Sequence, residues 1–252
     1  MSDIPLSASG PVIEAHRGDS TSAPENTLSA FRRARDMQAS WIELDVQQTR
    51  DHEIVVMHDP TVDRTTDGEG AIEVLSLADL KGLDAGAWFG DCFIGEPVPT
   101  LAEVADVVSG SSTRLNVEVK AAGFEPSEAD RIVAILRESG ILESCVISSF
   151  SIAALLAVRG VDPSICLALI GDGEDILAGA LEHGFPWIHA QFKTVDQGLV
   201  QRAHAAGIKV NTWTMDDPSQ YVHYRELGLQ KLCTNRPGDL LAAAAAVGCS
   251  GK

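Results

Sequence analysis

Short apolar runs alternate with amphipathic stretches along the chain. Nine runs have strand character: 12–16 (VIEAH), 41–46 (WIELDV), 53–58 (EIVVMH), 115–120 (LNVEVK), 145–150 (CVISSF), 165–170 (ICLALI), 187–190 (WIHA), 208–214 (IKVNTWT) and 232–234 (LCT). Helical patterns fall between them. NTLSAFRRARDMQ opens on Asn26 as its N-cap, and Thr100 to Glu103 has capping-box spacing. SEADRIVAILRESG opens at Ser127 and stops at Gly140, and DQGLVQRAHAAG stops at Gly207. Repeated strand–helix alternation over this length predicts an α/β fold, a TIM (β/α)8 barrel. An open doubly wound sheet is the second choice, and no GxGxxG follows the first strand to support it.

Two features depart from a regular barrel. Nine strand candidates compete for eight places, and too few residues separate 41–46 from 53–58 for a helical crossover. A hairpin about Asp51-His52 accounts for both, and a turn centred there sets Asp45 opposite His58; as parallel neighbours joined by an extended return, the two runs would still end at the same rim and bring His58 close to Asp45. Residues 60–98 break the alternation, with one short helical pattern, SLADLKG. They predict a small insertion after the third strand candidate, at the C-terminal rim of one barrel domain spanning residues 1–252.

Strand alternation also sorts the charges. Glu43 and Asp45 share one face of their strand, with Ile42, Leu44 and Val46 on the other. Glu118 and Lys120 share a face opposite Leu115, Val117 and Val119. The outer face of a barrel strand is covered by helices and is apolar, so these charges must point inward, where an unpaired charge is costly. Three inward carboxylates are most readily stabilised by a hard divalent cation, Ca2+ or Mg2+. Arg17 and Lys120 are then free to hold an anion such as phosphate. His16 and His58, also at strand ends, supply a general acid and base. Together these residues point to phosphoester chemistry.

Composition narrows the partners. A formal net charge of −17 over 252 residues argues against nucleic acid and anionic membrane surfaces. An anionic substrate must then be caught by local positive charge or a metal. The five cysteines (92, 145, 166, 233, 249) form no CxxC pair. No signal-peptide pattern or membrane-length apolar run is visible, so a reduced, cytoplasmic protein is expected.

The blocks AHRGDSTSAPENTLSAF, IELDVQQTRD, VVMHDPTVDRTTDGEG, LNVEVK, WTMDDP and TNRPG, in this order from residue 13 to about 239, resemble the glycerophosphodiester phosphodiesterase family. The resemblance implies a TIM barrel with a small insertion after the second catalytic histidine. It implies His16 and His58 as the acid/base pair, and Glu43, Asp45 and Glu118 as ligands of calcium or magnesium. Arg17 and Lys120 would hold the phosphate, and Trp213 would pack near the glycerol. The activity implied is metal-dependent hydrolysis of a glycerophosphodiester to glycerol 3-phosphate and an alcohol, through a cyclic phosphate. A lysophospholipase D, with an apolar trough around Trp88, Phe89 and Phe93, is the alternative enzyme. A non-catalytic phosphate-binding barrel is the alternative from another class.

Overall fold

The computed structural model describes residues 10–121 and 124–249. In chain order the elements are β1 (Val12–Ala15), α1 (Leu28–Asp36), β2 (Trp41–Gln48), β3 (Ile54–Val56), α2 (Leu77–Lys81), α3 (Leu101–Val108), β4 (Arg114–Val119), α4 (Pro126–Glu138), β5 (Cys145–Ser149), α5 (Ile152–Val161), β6 (Cys166–Gly171), α6 (Gly173–His183), β7 (Trp187–Gln191), α7 (Gln197–Ala205), β8 (Lys209–Trp213), α8 (Tyr221–Leu227), β9 (Lys231–Thr234) and α9 (Pro237–Cys249). Eight strands pair in parallel in the order β1-β2-β4-β5-β6-β7-β8-β9, and β9 returns to β1 to close the ring. Closure rules out the open doubly wound sheet.

The ninth strand, β3, lies outside the ring. It runs antiparallel to the upper half of β2, with Val46 opposite Val56 and Gln48 opposite Ile54. β4 covers the other edge of β2 along Trp41–Val46, and β1 reaches only as far as Ile42. The chain of β1 therefore stops early and leaves an edge that the hairpin fills. The hairpin differs by one residue from the sequence expectation. Thr49 N donates to Glu53 O, so the turn holds three residues, and His52 takes a left-handed conformation (φ 63). That is the usual geometry of a three-residue hairpin loop. The Met57 amide, not His58, consequently faces the Asp45 carbonyl, at 3.0 Å.

Two helix starts also differ. Asn26 is not an N-cap: Thr27 caps α1, accepting from the Ala30 amide, and the Asn26 side chain turns inward to Asp45. Ser127 lies inside α4 and is not its cap: Glu125 is, two residues earlier, because Pro126 presets the helical φ at the first position. The Thr100–Glu103 capping box is present. Helices α5, α6, α8 and α9 have no counterpart among the helical patterns named above.

Packing explains the alternation. Ile42, Leu44, Val46, Leu115, Val117 and Val119 all join the core between the strands and the helices, with Phe31, Leu101, Val104, Ile132 and Val133. Residues 60–98 build a small core of their own from Val62, Ile72, Leu80, Ala85 and Val98 against Val55 and Met57 of the hairpin. Glu96 ties this segment to α1 by accepting from Ser29 N (3.0 Å) and Oγ (2.6 Å).

Inside the barrel, Trp41, Val146, Ala168 and Trp187 close the bottom. Above them the buried Lys231 ammonium pairs with Glu14, and lies 4.3 Å from the centre of the Trp41 ring. Asn211 Nδ2 donates to the other Glu14 oxygen at 2.7 Å. Lys231→Ala strips a buried carboxylate of its counter-charge and should cost about 3–5 kcal/mol. Removing both charges, in Lys231→Met with Glu14→Gln, should recover much of that loss. Urea denaturation measures both; a single variant as stable as the native chain would show that the pair does not hold the floor together.

Candidate active site

The strand ends gather the charged residues at the C-terminal mouth. β1 is followed by His16-Arg17-Gly18, a sharp turn in which both Arg17 (φ 55) and Gly18 (φ 83) are left-handed. A Cβ at Gly18 would sit 2.7 Å from the Ala30 backbone, so glycine is required there. The turn sets the Arg17 amide on Glu43 Oε2 (2.9 Å) and its guanidinium against Asp45 (3.3 Å) and Glu25 (2.7 Å). Register then aligns Asp45 of β2 with Glu118 of β4, and Glu43 with Asn116. The hairpin returns His58 to the same level.

His16, Arg17, Glu43, His58, Glu118, Lys120 and Trp213 all line one cavity of about 110 Å³. Asp45 is fully buried behind it. One oxygen from each of Glu43, Asp45 and Glu118 lies within 4.8 Å of the others, a spread that a cation bridging oxygens at about 2.3–2.6 Å draws together by small side-chain rotations. Among the described residues this is the only such set of three. Its donors fit a hard cation. All are carboxylate oxygens, Glu43 Oε1 is buried with no hydrogen-bond partner, and the Lys120 ammonium bridges Asp45 Oδ1 and Glu118 Oε1 at 2.6 Å each.

The electrostatics follow from crowding. Burial and the neighbouring Asp45 and Glu118 charges raise the Glu43 carboxyl well above its usual range. Burial and Asp45 push Glu118 up to about 7. Burial opposes ionisation of Asp45 too, but Lys120 and Arg17 outweigh it and hold that carboxyl well below the usual range. Burial, with Arg17 alongside, lowers His16, so its imidazole is neutral near pH 7.

Residues without an assigned role in the sequence reading orient these groups. Asn26 Nδ2 donates to Asp45 Oδ2 at 2.7 Å. Asn235 Nδ2 and its amide both donate to Asp216, which turns Asn235 Oδ1 toward His16 Nδ1 at 2.7 Å. His16 must therefore carry its proton on Nδ1. His58 Nδ1 meets Asp59 Oδ1 at 2.6 Å, and Arg64 clamps Asp59 and Glu25 together. The Arg64 hydrogen bond is the main reason the Asp59 carboxyl is lowered to about 2. Trp213 donates from Nε1 to the His189 carbonyl (2.9 Å) and meets Phe150 edge-on at 5.6 Å. The PENT, HDP, RTT, WTMDDP and TNRPG blocks carry all these partners except Phe150 and His189, so the motifs were the available signal.

A closed parallel barrel with a buried carboxylate triad, two basic side chains and two histidines at its C-terminal mouth defines a TIM-barrel hydrolase for phosphoric diesters. The model of the glycerophosphoryl diester phosphodiesterase family matches residues 16–239. The chain is 34% identical over 241 residues to the glycerophosphodiester phosphodiesterase of Caldanaerobacter subterraneus subsp. tengcongensis, covering 91% of this chain and 96% of that protein. It is 30% identical to human glycerophosphodiester phosphodiesterase 1, covering 83% and 73%. Its structure is similar, at a TM-score of 0.88 and 31% identity over 94% of this chain and 97% of the other, to an Oleispira antarctica phosphodiesterase in complex with the product sn-glycerol-3-phosphate. The chain belongs to the glycerophosphoryl diester phosphodiesterase family.

Arg17→Gln should raise the titration point of His16, since it removes a positive charge beside the ring and leaves the carboxylates less compensated. A two-dimensional NMR titration of the imidazole signals in cation-free protein reads this directly. An unmoved or lowered His16 would contradict the electrostatic assignment.

Proposed function

We propose that this chain hydrolyses glycerophosphodiesters to glycerol 3-phosphate and an alcohol by two-histidine catalysis with a divalent cation, Ca2+ or Mg2+. The observation that carries the reading is that Glu43, Glu118, Arg17, Lys120 and two histidine rings line one cavity with Asp45 clustered behind it, and that each ring has its Nδ1 committed elsewhere. Glu43, Asp45 and Glu118 would hold the cation, which when bound supplies a Lewis acid for the phosphoryl group.

Arg17 and Lys120 hold the phosphoryl oxygens and offset the charge that builds on them. His16, neutral and with Nε2 unprotonated, takes the proton of the glycerol 2-hydroxyl. That oxygen attacks phosphorus and forms a five-membered cyclic phosphate. His58 gives a proton to the departing alcohol. Water then opens the ring with the two roles exchanged. Trp213 and Phe150 offer an apolar wall to the glycerol carbons. The acyl-chain alternative has less support, because Phe89 meets Trp88 and Phe93 edge-on at 5.5 Å each and none of the three lines the cavity.

His16→Ala and His58→Ala should each lower turnover of a glycerophosphodiester by roughly 10²–10⁴ without unfolding the chain. A 2-deoxy substrate analogue should bind comparably and turn over far more slowly, because an internal nucleophile gains its advantage from proximity. Equal rates for the 2-hydroxy and 2-deoxy substrates would show that water attacks directly. Near-native turnover in either histidine variant would exclude that ring from the mechanism.

A further inference from the structure

A second cavity, of about 230 Å³, adjoins the first, and Lys120 lines both. Its other walls include Glu128 of α4, and Pro60, Thr61, Ala71 and Glu73 from the segment after the hairpin. Glu128 is the unusual member. It is only 3% exposed, and its Oε1 is buried with no hydrogen-bond partner. It occupies the third position of α4, where a glutamate reaches back to the amide of the capping residue. The Glu125 amide serves that purpose, and it is all that opposes the effect of burial, which pushes the Glu128 carboxyl up to about 7. No basic side chain contributes. A buried carboxylate with a free oxygen and no counter-charge is costly, and a cationic ligand removes that cost.

The chemistry of the walls narrows the ligand. Glu43, Asp45 and Glu118 are the only three acidic, histidine or cysteine ligands brought together among the described residues, so no such set of three lies at the second cavity. Glu73 adds a second carboxylate and Thr61 a hydroxyl, while Pro60 and Ala71 suit aliphatic carbons. A formal charge of −17 disfavours an anionic group there. Lys120 is the anchor assigned above to the phosphate, so a ligand in this cavity lies next to the same substrate.

We propose that the second cavity is the subsite for the leaving alcohol, and that it takes the ammonium group of an amino-alcohol ester, with Glu128 determining that specificity. The proposal rests on the phosphodiesterase reading. It makes glycerophosphoethanolamine a better substrate than glycerophosphoglycerol, whose leaving alcohol carries no charge.

The test uses the full chain with added divalent cation and compares kcat/KM for those two substrates. Glu128→Gln keeps an acceptor at the third helical position, so the start of α4 survives. The variant should lose about tenfold in kcat/KM on glycerophosphoethanolamine, the loss appearing in KM, as expected for one charge-assisted contact. Glycerophosphoglycerol should be cleaved as before. Equal losses on both substrates would make Glu128 a structural residue, and no loss on either would remove it from the subsite. Ethanolamine alone, titrated into native chain and variant, separates this proposal from the reaction itself. It should shift the Glu128 carboxyl NMR signal in the native chain whether or not either diester is hydrolysed, and no shift would overturn the subsite.

Discussion

Three carboxylates are forced to share one buried corner, and much else at the barrel mouth compensates for that. Asp45 is wholly buried, and Glu43 and Glu118 nearly so. Like charges this close cannot all ionise without a partner. Arg17 and Lys120 balance Asp45, Asn26 donates to it, and Glu43 keeps one oxygen unsatisfied. The left-handed turn at Arg17-Gly18 and the left-handed Asn26 are local conformations that this arrangement demands.

The same constraint explains the hairpin. A regular barrel strand would carry the chain after Asp45 out to a helix. Here the chain turns back along the free upper edge of β2, and the Met57 amide bonds the Asp45 carbonyl. His58 is thereby set at the level of the carboxylates instead of beyond the rim. The stretch from Trp41 to Asp59 thus delivers two of the three clustered carboxylates and a histidine from one continuous segment. The residues after it pack their own small core against the hairpin and hold it there.

The barrel and the inward face were legible because both follow from short periods. Alternation every two residues placed Glu43 with Asp45 and Glu118 with Lys120, and the short gap after Val46 implied a hairpin. What was not legible depends on contacts with no local pattern. Asn26 reads as a helix cap because asparagine caps helices well. In the fold its amide is taken by Asp45, and Thr27 does the capping. The one-residue slip at the hairpin arose because a three-residue loop and a two-residue loop look alike in Arg50-Asp51-His52. His16 finds Asn235 from 219 residues away, and no spacing rule foretells that pair. The missed helices α5 and α9 are rich in alanine, leucine and valine on every side, so a 3.6-residue stripe is weak in them.

The claim on which the rest turns is that Glu43, Asp45 and Glu118 form one seat for one divalent cation. A crystal of the native chain grown with Mn2+, measured at the manganese absorption edge, tests it directly. One anomalous peak is expected between the three carboxylates, within about 2.0–2.6 Å of an oxygen from each, as for a hard cation with oxygen ligands. The absence of a peak there, or a peak that leaves Glu118 or Glu43 out of reach, would contradict the shared seat and the mechanism built around it.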